Sequence, residues 1–116
     1  MAIIIRRLNR TYTVGKPPVV LRIVVGDGQF GSSVIRLDGQ EIASGAIAML
    51  LIGDGNDLRG SKLAVATTVT DVQRGTNRTS VTYELSGGPA AATHPVNADV
   101  DKDGGSVLYL ARFTFK

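Results

Sequence analysis

The chain has 116 residues, a formal net charge of +3 at pH 7 and no cysteine. The lack of cysteine excludes disulfides, thiolate metal sites and cysteine nucleophiles. The hydrophobic content of 43% excludes a disordered chain, and the length predicts one domain spanning residues 1–116. The N-terminus lacks the order of charges of a signal peptide, and no apolar stretch reaches membrane-spanning length. We therefore expect a cytoplasmic protein as expressed, with no membrane partner and with its native location left open.

In chain order, the first elements are strands with alternating apolar and polar residues. Residues 3–14 predict a strand at a sheet edge, because Arg6 and Arg10 share the parity of its apolar residues and must reach water. Residues 19–25 predict a second strand. Residues 33–37 and 40–43 predict two more, joined at Asp38-Gly39, a dipeptide typical of tight β-hairpin turns.

The strongest alternation lies in residues 62–73 and 78–85, where valine and threonine dominate. The short connector contains Gly75 and Asn77, so the pattern predicts a central β-hairpin. Residues 86–97 are predicted to be irregular because they contain two prolines and Gly87-Gly88. A last strand is predicted at residues 106–115, and no helix longer than two turns is expected anywhere.

These elements predict an all-β fold, an antiparallel two-sheet β-sandwich of about seven to nine short strands. An immunoglobulin-like sandwich, a jelly-roll-like sandwich and a small barrel all fit the pattern. The sequence does not order the strands.

One continuously apolar run, bounded by Gly45 and Gly53, interrupts this alternation. It is compatible with a strand buried on both faces, with a short helical turn on the core, or with a surface that pairs with another subunit. A flat apolar run is what a homo-oligomer contact, natural or engineered, would use. The predicted interface residues are Ala46, Ile47, Ala48, Met49, Leu50, Leu51 and Ile52.

An acidic loop gives a candidate metal site. Asp99, Asp101 and Asp103 alternate before Gly104 and match the opening of a calcium-binding loop. The position where a bidentate glutamate belongs is Leu110, and flanking helices are not expected, so Ca²⁺ is the one candidate cofactor and its affinity would be weak. A solvated acidic turn explains the same residues.

The N-terminal third is basic, with a net charge of +5 over residues 1–36 against −2 over the remainder. Arg6, Arg7 and Arg10 are therefore candidate anion-binding residues, against the alternative of a solvated strand face. Nucleic acid is not the expected partner, because few aromatic residues lie near these arginines to stack on bases.

No set of residues has the spacing that catalysis requires. His94 is the only histidine and lies in a predicted loop, while Glu41 and Glu84 lie on different predicted strands. We therefore predict a non-catalytic β-sandwich module that self-associates or serves as a structural component. A calcium-dependent binding module and an anion-binding module are the alternatives.

Overall fold

The computed structural model describes residues 4–26, 29–70, 78–100 and 105–116. Strands account for nearly all of the regular structure, and the one helix is a single turn, α1 (Gly55–Leu58). The strands are β1 (Ile4–Tyr12), β2 (Pro18–Val25), β3 (Phe30–Leu37), β4 (Gln40–Gly45), β5 (Met49–Asp54), β6 (Lys62–Thr70), β7 (Arg78–Ser86), β8 (Ala92–Asp99) and β9 (Ser106–Phe115).

The nine strands form two packed sheets, which confirms the predicted all-β sandwich. Sheet A has five strands in the order β1-β9-β6-β3-β4, and sheet B has four in the order β5-β2-β7-β8. All neighbouring pairs are antiparallel except β1 and β9, which run parallel. The edge strands of the described sheets are therefore β1, β4, β5 and β8.

The core lies between the sheets because every second residue of each strand points inward. In β6 and β9 this inward set is fully or almost fully buried, and the same holds for β7 and the first part of β2. The largest buried side chains include Tyr83, Tyr109, Phe113 and Phe115. Tyr83 packs edge-on against Phe113, with ring centroids 6.2 Å apart, so an aromatic contact joins the two sheets.

Buried hydroxyl groups also join the sheets. Tyr83 of sheet B donates to Thr67 Oγ1 of sheet A at 2.7 Å, and Thr67 Oγ1 lies 2.9 Å from Ser33 Oγ. A second link connects Thr79 Oγ1 of sheet B to the Tyr109 hydroxyl of sheet A at 2.6 Å. Buried polar groups are tolerated when they are hydrogen-bonded, so these links set the relative position of the sheets.

Two local predictions are confirmed. Asp38 and Gly39 have φ values of 51° and 85°, the positive values that a tight hairpin turn between β3 and β4 requires. The first strand, β1, is an edge strand, and Arg6 and Arg10 are exposed although their parity matches that of buried Leu8.

The predicted central hairpin is wrong. Both of its strands exist, as β6 and β7, but β6 lies in sheet A and β7 in sheet B. They face each other across the core, where Tyr83 bonds to Thr67, instead of pairing side by side. A strand with one buried face alternates in the same way in either arrangement, so the pattern does not distinguish a hairpin from a connection between sheets.

The prediction of an irregular segment over residues 86–97 is also wrong in its second half. Ala92–Asp99 forms β8, with Pro95 opposite Thr82 of β7. Proline lacks the N–H that a central strand needs on both sides, but an edge strand needs donors on one side only. β8 is such an edge strand, so its proline is accommodated.

Candidate functional site

The candidate site is the free edge of β5, which pairs with β2 and with no other described strand. Its side chains alternate: Leu50 and Ile52 are half-buried and pack on the core, whereas Met49 and Leu51 point outward. Met49 is 63% exposed and Leu51 is 61% exposed, the two largest values among the exposed large hydrophobic residues described. The edge therefore combines unpaired backbone groups with an apolar outer face.

β5 lacks the charges or the proline that lie within the other three described edges. Soluble proteins blunt edge strands with charges, prolines or bulges, because a bare edge pairs with other chains. β1 carries several arginines, β8 carries Pro95, and β4 carries Glu41 with a register shift beside it. In contrast, β5 begins with four apolar residues and its only charge is the terminal Asp54, so its one protective feature is a register shift in its pairing with β2, like that of β4.

The apolar surface continues from β5 onto the outer face of β2. The register places Met49 beside Arg22 and Leu51 beside Val20, and Val24 is exposed further along β2. Arg22 forms an ion pair with Glu84 of β7, with 3.7 Å between Arg22 Nη1 and Glu84 Oε2. Arg22 lies between Val20 and Val24 on the outer face of β2, so the apolar surface contains this one ion pair.

Residues 46–52, the predicted interface, divide between this edge and the core. Ala46 and Ala48 are exposed and precede β5, while Ile47 packs partly against the core. The carbonyl of Ala48 accepts a hydrogen bond from the Ile23 amide at 2.9 Å, which ties the run to β2. A strand buried on both faces and a helical turn are therefore both wrong for this run. An exposed surface that pairs with another subunit stays a prediction.

The three predicted anion-binding arginines do not share one face. Arg7 points to the outer face of sheet A, whereas Arg6 and Arg10 have the opposite parity and reach solvent at the β1 edge. Arg10 Nη1 donates to the carbonyl of Asn9 at 2.8 Å, and Arg6 Nη1 donates to the carbonyl of Ile5 at 3.4 Å. Alternation of side chains along a strand separates neighbours that look clustered in the sequence.

The predicted calcium site lies mostly outside the described residues. Asp99 is the exposed last residue of β8, while Asp101 and Asp103 are not described. Within the described residues, no three histidine, aspartate or glutamate side chains come close enough to hold a metal ion. Calcium binding at this loop stays a prediction. Calorimetry at millimolar calcium tests it, since heat should appear with the wild type and disappear in Asp101→Ala.

The two glutamates weighed for catalysis in the sequence are separated by the fold. Glu84 lies in sheet B, and Glu41 lies at the far edge of sheet A. The prediction that His94 lies in a loop is wrong, because His94 lies in β8 with its ring centroid 5.7 Å from that of Phe113. Its Nε2 is buried and lacks a partner within the described part of the chain, and burial lowers its pKa, with nearby Arg10 adding to the effect.

The carboxylate of Asp38 also has a shifted pKa, for a reason that is local to its turn. The Lys62 amide donates to Asp38 Oδ1 at 2.9 Å, and this bond holds the pKa of Asp38 below its usual value. The shift belongs to the turn between β3 and β4, where the carboxylate secures the start of β6.

Comparisons with protein-family models, curated proteins and solved structures find no match to this chain. The fold defines the class, an all-β sandwich of two packed sheets. None of the helices in the described residues has the length and apolar character needed to cross a membrane.

Proposed function

We propose that the protein is a structural or assembly module that self-associates through β5. The observation that supports this proposal is the contrast between β5 and the other edges: it alone, among the described edges, exposes large apolar side chains without a charge or proline in its middle. A second copy offers the same edge, and an isologous contact pairs the patch with itself.

The partner strand is β5 of the second copy, running antiparallel. A register centred on Leu51 places Leu51 opposite its equivalent in the second copy, with both side chains on the outer face. This register keeps the outer faces of both copies on the same side, so the two four-stranded sheets join into one continuous sheet. Asp54 is the one charged residue of β5 and lies at its end, so no two like charges face each other along the pair.

The contact is small, so the association is weak. Burying the exposed parts of Met49 and Leu51 contributes roughly 1–2 kcal/mol for each side chain. Ladder hydrogen bonds add about 1 kcal/mol each, against a substantial loss of translational and rotational freedom. A buried area below that of standard interfaces predicts a dissociation constant on the order of 100 µM.

Cross-linking tests the geometry, because the chain contains no cysteine and one substitution introduces one thiol. In the Leu51-centred register the two Leu51 Cα atoms lie about 4.5–5.5 Å apart, within the range for a disulfide. We expect Leu51→Cys to form a covalent dimer under mild oxidation, faster at higher protein concentration. The matched control is Ile42→Cys, since Ile42 is 41% exposed on the β4 edge of the other sheet.

Equal cross-linking of the two cysteine variants would show random collision and would contradict the proposal. The same holds for a Leu51→Cys variant that stays monomeric at concentrations near 1 mM, about ten times the expected dissociation constant. Substitutions at Ile47 or Leu50 are poor tests, because both side chains pack on the core and their replacement would disturb folding.

A further inference from the structure

The outer face of sheet A carries an open depression of about 790 Å³ that extends across β1, β9, β6 and β3. Its floor is formed by Ala64 and Ala66 of β6, flanked by Val34 of β3 and Leu110 of β9. The alanine side chains are short, so the surface is lowest along β6 and higher on either side.

Two arginines lie on opposite sides of this floor. The register places Arg36 beside Ala64 on one side and Arg112 beside Ala64 on the other. With strands about 4.8 Å apart, their Cα atoms are about 10 Å apart, and both side chains are exposed. We call Arg36 and Arg112 the arginine clamp. Arg7 lies on the same face, one row further along the sheet, beside Leu110.

Among the described residues, no carboxylate forms an ion pair with Arg36 or Arg112 above the alanine floor. The ion pair found among the described residues joins Arg22 to Glu84, on sheet B. Glu41 is paired in register with Arg36 but lies on the β4 side, away from Ala64. Guanidinium groups without carboxylate partners, facing each other across a small apolar floor, are suited to bind oxyanions bidentately.

The surroundings restrict the ligand class. Phe113 is the aromatic residue among those that line the depression, and its ring is buried in the core on the opposite face, so bases cannot stack there. β6 and β9 are interior strands whose backbone groups pair on both sides, so the face offers no edge to an added peptide strand. A linear polyanion whose charged groups project from a solvated chain needs neither an aromatic side chain for stacking nor a free sheet edge.

We propose that the arginine clamp binds the sulfate groups of an anionic glycan, independently of self-association at β5. The ligand lies across β6, with one sulfate at Arg36 and another at Arg112, and Arg7 adds attraction along the chain. Sulfate groups accept the paired N–H donors of guanidinium in the same way as phosphate groups do. Because the site is open, binding is dominated by charge and weakens as salt is added.

The test uses a heparin-derived hexasaccharide as the probe and calorimetry at low salt. We expect the double variant Arg36→Ala/Arg112→Ala to bind about tenfold or more weakly than the wild type, because it loses the two charge-assisted contacts. The matched control is Arg6→Ala/Arg59→Ala, which removes the same charge from positions outside the depression and should bind nearly as well as the wild type. All four side chains, those of Arg36, Arg112, Arg6 and Arg59, are exposed, so both double variants should unfold at the temperature of the wild type.

Equal weakening in the two double variants would show that net charge alone drives binding and would overturn the proposal. Absence of binding by the wild type would overturn it as well. Duplex DNA of matched charge is the second probe: DNA binding as tight as that of the hexasaccharide, and equally sensitive to the clamp, would assign the site to nucleic acid instead.

Discussion

Tyr83 provides a test of the core that combines a mutation with pH. Its side chain is fully buried, and its hydroxyl donates to Thr67 Oγ1 at 2.7 Å across the two sheets. Burial raises the pKa of Tyr83 from 10.0 to about 12, an effect that the hydrogen bond to Thr67 only partly offsets. The folded protein therefore holds this proton in a pH range where the unfolded chain releases it.

The sign of the effect follows from that difference. Below pH 10 both states are protonated, and the stability contributed by the neutral, hydrogen-bonded hydroxyl is complete. Between pH 10 and about 12 the unfolded chain loses the proton first, so the free energy of unfolding falls as pH rises. A shift of about two pKa units corresponds to roughly 2 kcal/mol lost by about pH 12, where half of the folded molecules are ionised at Tyr83.

Tyr83→Phe removes the ionisation and one hydrogen bond, while Thr67 keeps its partner Ser33. At neutral pH we expect the variant to be about 1 kcal/mol less stable than the wild type. At about pH 12 the order should reverse, with the variant roughly 1 kcal/mol more stable, because only the wild type loses stability to tyrosine ionisation at this position.

Urea denaturation of both proteins, at pH 7 and in steps from about pH 9 to 12, measures the two curves. Lysine and arginine titrate in both proteins, so their effects cancel in the difference between the curves. A difference in the free energy of unfolding that stays constant over this range would refute the reasoning, since it would mean that Tyr83 ionises equally in the folded and unfolded states.

Three further predictions concern other parts of the fold. Gly55→Ala should lower the free energy of unfolding by about 2–3 kcal/mol in urea denaturation, because the added Cβ would overlap the backbone oxygen of Gly15. Gly60→Ala should lower it by only about 1 kcal/mol, because the space around Gly60 is open and only its φ of +88° disfavours alanine. Tyr12→Phe removes the hydroxyl that accepts from the Gly88 amide at 2.9 Å, so that amide should exchange faster by NMR while the strand amides keep their protection. Burial holds the pKa of His94 below 6.5, so the wild type should lose stability as pH falls below about 6.5. Thermal melts at several pH values measure this loss, and a His94→Phe variant that shows the same loss would contradict the prediction.

The sequence predicted which residues face inward better than it predicted which strands are neighbours. Alternation marked Val65 and Tyr83 as core residues, and both are buried. The same alternation placed β6 and β7 in one hairpin, although a connector of seven residues joins two different sheets. Side-chain burial is a local property of a strand, whereas pairing depends on where the chain goes after the turn.

Strand order also explains why the arginine clamp was not predicted. Alternation assigns Arg36 and Arg112 to outward positions on their own strands, but they are 76 positions apart in the sequence. They lie on either side of Ala64 only because β6 is placed between β3 and β9. By contrast, Arg6 and Arg10 are close together in sequence and looked like a cluster with Arg7, and the parity of β1 separates Arg7 from them.

The β5 edge was predicted from the sequence in part. The sequence indicated that residues 46–52 were unusual, because a continuous apolar run has no polar face for water. It did not indicate that these residues would form the end of a sheet, with Met49 and Leu51 outward and Leu50 inward. Only the position of β5 beside β2 leaves its other side open.

The mass of the protein in solution tests the account of β5 most directly. One chain has a mass of 12.2 kDa, and sedimentation equilibrium from about 10 µM to 1 mM spans the dissociation constant expected for a small interface. The account predicts that the average mass rises toward that of a dimer for the wild type and for Ile42→Lys. It also predicts that Leu51→Lys remains a monomer at every concentration, because a charge in the middle of an edge strand opposes pairing. A wild-type protein that keeps the mass of one chain at 1 mM, or a Leu51→Lys variant that dimerises as well as the wild type, would contradict the account.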